Sequence, residues 1–329
     1  MFKSIDNLQS AMEKADYVCE PSLATAIYLA QKLGKPLLLE GQAGVGKTEV
    51  AKVLAEILQT KLIRLQCYDG LDSGHALYEW NYPRQILAIK LAQAQGHLQC
   101  ATLEEEIEKD IFSKKFLLTR PLMEAITSES GTPVVLLIDE IDRADDEFEA
   151  FLLEVLSDFQ ISVPELGTIK AKVLPYIVVT SNGTRELHDA LKRRCIYHWI
   201  DYPSPDQELD IVLKKVPGLP RELAAQIGSF SHKIKALDLL KSPGMAETID
   251  WARALIEMNK DILDEETFDQ ALALIMKYED QMTWFRQMTR ATQGIGRRDT
   301  VIYAKDDERL SYGAEEMARR PADESKTYG

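Results

Sequence analysis

The segment Gly41-Gln42-Ala43-Gly44-Val45-Gly46-Lys47-Thr48 has the residue types that hold a nucleoside triphosphate. Such a molecule presents several negative charges, and a ring of backbone N–H groups at a helix N-terminus offsets them without burying a side-chain charge for each. Glycines let the backbone come that close. Lys47 is placed to reach the β- and γ-phosphates, and the Thr48 hydroxyl to ligate Mg²⁺. The expected cofactors are therefore ATP and Mg²⁺, with Gly41, Gln42, Ala43, Gly44, Val45, Gly46, Lys47 and Thr48 as the binding loop.

Three further groups could complete a hydrolytic site. Asp139 and Glu140 follow five apolar residues, Val134 to Ile138. Asp139 is the expected partner of the metal beside Thr48, acting through water, and Glu140 the base that polarises the attacking water. Thr180-Ser181-Asn182 closes another apolar run, and the Asn182 amide could orient that water or register the γ-phosphate. Lys192-Arg193-Arg194 could offer a guanidinium to the nucleotide of a neighbouring subunit, with Arg194 preferred to Arg193. Each group has a plainer use, as a turn, a helix cap or a basic helix end.

The elements that must position these residues are legible in the apolar pattern. Pro36-Leu37-Leu38-Leu39, Lys61 to Leu65, Val134 to Ile138 and Tyr176 to Val179 read as short strands buried on both faces of a parallel sheet. A helix is predicted from Glu20 to Gly34, and another after the glycine-rich turn through Val50, Val53, Leu54, Ile57 and Leu58. Phe148, Phe151, Leu152, Val155, Leu156 and Phe159 repeat at i, i+3, i+4, i+7, i+8 and i+11, a helix whose apolar stripe belongs to a core. Gln160 to Pro164 and Ile169 to Lys172 suggest a hairpin through Glu165-Leu166-Gly167.

Tyr202-Pro203-Ser204-Pro205-Asp206 marks a boundary, and beyond it only helical patterns recur. They run through Leu223, Ile227 and Phe230, through Ile249, Ala252, Leu255 and Ile256, and through Phe268, Leu272, Ile275 and Met276. The expected layout is an α/β nucleotide-binding domain over residues 1–202, a helical lid over 203–290 and a charged tail over 291–329, disordered or ordered by a partner.

The 329 residues carry 53 acidic and 39 basic side chains, a net charge of −14. That balance opposes a phosphate backbone and argues against nucleic acid as the partner. The four cysteines, Cys19, Cys67, Cys100 and Cys195, lie far apart with no Cys-x-x-Cys pair, as in a reduced cytoplasmic protein. No apolar run approaches the roughly 20 residues of a membrane span. The five histidines show no ligand spacing. Tyr78, Trp80 and Tyr82 alternate by two, which reads as packing on one face of an extended segment rather than as a client grip.

In their order these motifs resemble the AAA+ superfamily, and most closely its MoxR branch. Asp139-Glu140-Ile141-Asp142-Arg143-Ala144 with Leu152-Leu153-Glu154 resembles that branch's extended Walker B segment, and the hairpin before Asn182 is similar to its pre-sensor insertion. Arg64 to Asp72, Ala76 to Tyr82 and Ala190 to Trp199 resemble the MoxR ATPases of carbon monoxide dehydrogenase maturation. The likeness covers residues 1–278. It implies a three-layer P-loop AAA+ domain with a parallel sheet and a smaller all-helical lid. It also implies homo-oligomers, in the form of hexameric rings, with ATP at subunit interfaces. The implied partners are a von Willebrand factor A domain protein and a client metalloenzyme whose maturation, metal insertion or assembly is assisted. One position departs from the branch: where a lid arginine is common, this chain has Met245, with Arg253 or Lys241 as possible substitutes.

The reading that follows is an ATPase that remodels a protein client. Two alternatives stand beside it, a nucleic-acid-directed motor or loader and an ATP-bound assembly scaffold that cycles slowly.

Overall fold

In the computed structural model, residues 2–94, 111–129, 131–236, 244–258 and 260 are described. The chain divides into two compact units, Met1–Tyr202 and Pro203–Gly329.

The first unit is built on a parallel five-stranded sheet: β1 (Leu37–Gly41), β2 (Leu62–Gln66), β5 (Val135–Asp139), β8 (Tyr176–Ser181) and β9 (Ile196–Ile200), in the order β2-β5-β8-β1-β9. All five residues of β5 are buried, and alternation sends them to opposite sides. Leu136 and Ile138 join one core with Leu38, Ile63, Leu65 and Val179; Val135 and Leu137 join the other with Leu37, Leu39 and Val178. A sheet apolar on both faces needs a cover on each, which makes a three-layer unit.

Helices α1 (Ile5–Lys14), α2 (Pro21–Leu33) and α3 (Lys47–Ile57) supply one cover. The other comes from α6 (Pro121–Ile126) and α7 (Asp146–Asp158), which follow the single turn α4 (Ser73–Ala76) and the longer α5 (Tyr82–Ala94). Pro21 opens α2 and Gly34, at φ 60°, closes it, as the sequence predicts. Asp145 caps α7 by accepting the Phe148 N–H at 2.8 Å, and Phe159 ends it in the left-handed region at φ 50°.

Two antiparallel strand pairs interrupt the sheet's connections. β3 (Tyr78–Trp80) pairs with β4 (Leu117–Thr119), and β6 (Gln160–Val163) pairs with β7 (Gly167–Lys170) within a residue or two of the predicted hairpin. The aromatic alternation is only partly packed. Trp80 is buried and meets Phe112 edge-on, whereas Tyr82, where β3 has given way to α5, is 60% exposed. The turn into α5 breaks the period of two before the third ring is reached.

The second unit shows α9 (Pro205–Lys215), α10 (Arg221–Ala236) and α11 (Met245–Glu257), preceded in the first unit by α8 (Asp189–Arg194). Ser204 and Gln207 form a capping box at the start of α9. Val212, Leu223, Ile227, Phe230, Trp251 and Leu255 make its core. The helix predicted through Phe268 and Met276, Cys100, Lys241 and the tail all lie outside the described residues. No helix among the described residues is long and apolar enough to cross a membrane.

Candidate nucleotide site

The parallel arrangement brings the ends of β1, β5 and β8 to one edge of the sheet, and the glycine-rich loop crosses that edge between β1 and α3. Gly44 at φ 79° and Gly46 at φ 97° turn the loop through conformations that a side chain resists. Gly41 is needed for another reason: a Cβ there would stand 2.2 Å from the Ile200 carbonyl oxygen of β9. The loop then delivers Lys47 and Thr48 as the first residues of α3.

Lys47 is 6% exposed, and its Nζ donates to the Gly41 and Gln42 carbonyls at 2.8 and 2.7 Å. Burial lowers its pKa, against the pull of Asp142, Asp139, Glu140 and Glu40, which favour the charged form. An ammonium held among loop carbonyls is positioned to turn toward an incoming phosphate.

Asp139, 2% exposed, is the hub of the edge. Its Oδ1 accepts from the Thr48 hydroxyl at 2.9 Å and the Thr180 hydroxyl at 2.6 Å. Its Oδ2 accepts from Arg64 Nε at 3.0 Å and Nη2 at 2.6 Å. Because the Thr48 hydrogen is spent on Asp139, its oxygen lone pairs remain for a cation. Hard oxygen donors of this kind suit Mg²⁺, which takes one or two protein oxygens and otherwise phosphates and water. The donor set fits the expected metal.

Glu140 leaves the strand at φ 56° and ψ 53°, left-handed values uncommon for a residue with a side chain. The Thr180 hydroxyl accepts the Glu140 N–H at 2.9 Å, and the Glu140 carbonyl accepts the Arg143 N–H at 3.0 Å. Strain of about 1–3 kcal/mol is typical of such a residue and persists where neighbours over-determine it. The turn sets the carboxylate at the edge, 35% exposed, with Arg143 Nη1 at 3.5 Å.

Asn182 is brought to the same edge through its backbone. Its N–H donates to Asp142 Oδ1 at 3.1 Å, while Thr184 donates to Oδ2 from its N–H at 3.0 Å and its hydroxyl at 2.6 Å. Burial alone would raise the Asp142 carboxyl; the Thr184 hydroxyl and the Thr184 and Asn182 N–H groups outweigh it and hold the group below the ordinary range. Asp142 therefore ties the loop after β8 to the turn after Glu140. A folded pKa held low contributes stability above the unfolded value, about 3.9, that is lost as pH falls through the folded one. Asp142→Asn is expected to cost about 1–3 kcal/mol at neutral pH. Its gap from the wild type should narrow below about pH 4, as measured by urea unfolding across the acid range.

A second clamp lies just beyond. Glu149, 1% exposed on α7, binds Arg185 and accepts the His188 N–H at 2.9 Å; Arg185 also donates to the Ala144 carbonyl. Arg185 is 30% exposed and keeps Asp146 and the Ala144 carbonyl as partners, whereas the His188 N–H loses its acceptor, so Glu149→Ala is expected to cost about 1–3 kcal/mol in equilibrium unfolding.

Arg194 is not brought to the loop of its own chain. Its guanidinium donates to Ser157 Oγ of α7 and to the Ala190 carbonyl at 2.9 Å. Arg193 is 82% exposed, with Asp189 at 3.8 Å. Met245 is buried in the core of the second unit, and Arg253 is exposed beside Asp250.

The geometry can be set beside what the chain is similar to. Residues 36–195, from just before β1 to the end of α8, match the model of the AAA domain of the dynein-related subfamily. Over that stretch the chain is similar to an AAA domain. Its fold is the P-loop AAA+ fold, with the parallel sheet and a helical region after it. The AAA match ends before the second unit. An uncharacterised protein of Staphylococcus haemolyticus is 25% identical over 258 residues, covering 76% of this chain and 86% of its own. One from Staphylococcus epidermidis is 26% identical over 259 residues, covering 76% and 87%. Among solved structures, the RuvB Holliday junction branch migration motor of Thermotoga maritima is similar at 16% identity. It covers 83% of this chain and 72% of that one, with a TM-score of 0.43.

Several residues of the site carried no signal of their own in the sequence. Thr180 stood beside Asn182 in an apolar run, Arg64 and Asp142 entered as members of stretches likened to the MoxR branch with no role of their own, and Glu149 and Arg185 belonged to no motif. Their partners lie 36 to 75 residues away.

Among the described residues, no group of three or more His, Cys, Asp or Glu is placed to hold a metal. Cys19, Cys67 and Cys195 are buried free thiols, each pushed up to about 12 by burial. They are poor nucleophiles at neutral pH.

Proposed function

We propose that the chain is an ATP-hydrolysing remodelling ATPase of the MoxR type. It works in the cytoplasm as a homo-oligomeric ring, hexameric by the branch's habit, with a von Willebrand factor A domain partner. The observation that carries the ATPase reading is the Thr48–Asp139–Thr180–Glu140 chain of hydrogen bonds at the mouth of the glycine-rich loop. It joins the phosphate cradle to the proposed base through side chains that are already ordered, the preorganisation that hydrolysis requires.

In this reading the loop N–H groups and Lys47 hold the β- and γ-phosphates. Thr48 and Asp139 hold Mg²⁺, which supplies charge neutralisation on the phosphates. Glu140 accepts the proton of the attacking water as the γ-phosphoryl group leaves ADP. Asn182 orients that water, and Arg194 of a neighbouring subunit offsets the charge that develops. The MoxR assignment and the maturation of a client metalloenzyme rest on the sequence motifs quoted above. The net charge of −14 weighs against a nucleic-acid client.

A slowly cycling scaffold is the second reading, favoured by Met245: a thioether in an apolar core offers a phosphate no charge. Steady-state phosphate release decides between the two. Turnover per chain that rises with protein concentration supports the ring ATPase. Single-turnover behaviour with retained nucleotide supports the scaffold.

A further inference from the structure

Arg64 lies on the edge strand β2, opposite Leu137 and two residues below Asp139 in the register. Its guanidinium reaches along the strand to the sheet edge, where Nε and Nη2 both donate to Asp139 Oδ2 and Nη2 also donates to Gln66 Oε1. Its side chain is 51% exposed, whereas that of Asp139 is 2% exposed. The two oxygens of Asp139 therefore have separate duties: Oδ1 faces Thr48 and the loop, and Oδ2 faces Arg64.

The edge is crowded with carboxylates, since Asp139, Glu140, Asp142 and Glu40 all lie close enough to favour the charged form of Lys47. Phosphates entering the loop meet that negative field. Lys47 opposes it from inside the loop, and Arg64 opposes it from behind Asp139. A guanidinium stays charged at every physiological pH, so its compensation is permanent.

We infer that Arg64 is a built-in counter-charge that sets how strongly nucleotide binding depends on the divalent cation. The inference rests on the reading of this loop as a nucleotide site, and it makes Arg64 a positioning residue acting through Asp139. With Arg64 present, part of the repulsion between Asp139 and the phosphates is already offset, and binding without the cation is tolerated. Without it, the share that Arg64 offsets falls to the cation as well.

The test is equilibrium binding of a fluorescent ADP analogue to the full chain, in Mg²⁺ and in EDTA, read as the ratio of the Kd in EDTA to the Kd in Mg²⁺. Arg64→Gln is expected to raise that ratio roughly tenfold, the order of one unit charge acting at a partly exposed site. Arg64→Lys keeps the charge and is expected to stay within about twofold of the wild type. A ratio unchanged in Arg64→Gln overturns the inference, because a merely structural role weakens both arms alike.

Should Arg64→Gln fold poorly, Asp139→Asn is compared with the Arg64→Gln/Asp139→Asn pair, which leaves no buried carboxylate at this position uncompensated. Equal ratios support action through Asp139, and unequal ratios overturn it. Failure of the wild-type chain to bind the analogue in Mg²⁺ overturns the nucleotide-site reading itself, and the inference with it, and is distinguishable from either result.

Discussion

Replacing Glu140 with glutamine (E140Q) is expected to lower ATP turnover by about 10²- to 10³-fold while nucleotide affinity stays near the wild-type value. The amide keeps the shape of the side chain and loses the basic carboxylate oxygen that takes the proton from water. The left-handed turn at Glu140 is held by backbone groups, the N–H on Thr180 and the carbonyl on Arg143, so the substitution leaves the geometry that positions it. Binding depends on the loop and Lys47, which the change does not touch. Steady-state phosphate release and binding of a fluorescent ATP analogue separate the two effects. Turnover at the native rate in E140Q would show that the proton goes elsewhere, and a parallel loss of binding would assign Glu140 to the cradle instead.

The parts of this site that were legible in the sequence are those whose chemistry is local. The glycine-rich loop is eight consecutive residues, and its glycines announce backbone dihedrals directly. The strands before it and before Asp139 are short apolar runs because both faces of the sheet are covered. The helix from Asp146 to Asp158 shows its buried stripe at helical spacing. These features follow from the covalent neighbourhood and from burial, which periodicity reports well.

What was not legible depends on residues that meet only after folding. Thr180 bonds both Asp139 and the Glu140 N–H, yet in sequence it is one threonine at the end of an apolar run. Strand β9 alternates partly buried and exposed positions at the sheet's edge, with Tyr197 and Trp199 outward, so Ile196 to Ile200 lacks the continuous apolar signature of the inner strands. The Glu149–Arg185 clamp pairs a helix with a loop that a hairpin and a strand separate. At Tyr82 the period of two held for three aromatics in sequence, whereas the backbone changed from strand to helix after the second. Apolar spacing predicts elements; it does not predict which polar side chains the elements bring together.

The second large effect concerns Arg194. It sits in the last turn of α8, and its contacts with Ser157 and the Ala190 carbonyl hold the guanidinium at the end of that helix, away from the loop of its own chain. On the proposed ring reading, this end of α8 faces the nucleotide of the next subunit. Arg194→Ala is then expected to lower turnover by about 10³-fold with little change in ATP affinity, because a finger stabilises charge that appears only in the transition state. Arg193→Ala is expected to have a small effect, since that side chain is 82% exposed and paired loosely with Asp189 on its own helix. Mixing distinguishes action across an interface from a local defect. Lys47→Ala chains have an intact Arg194 and a disabled loop, and Arg194→Ala chains have the reverse, so each alone is expected to be nearly inactive. In mixed assemblies a Lys47→Ala chain can present its arginine to the intact loop of an Arg194→Ala neighbour, and phosphate release should rise above the sum of the two. No recovery, in mixtures shown by size to contain both chains, would place the role of Arg194 within its own subunit, where its bond to Ser157 makes it a strut between α8 and α7.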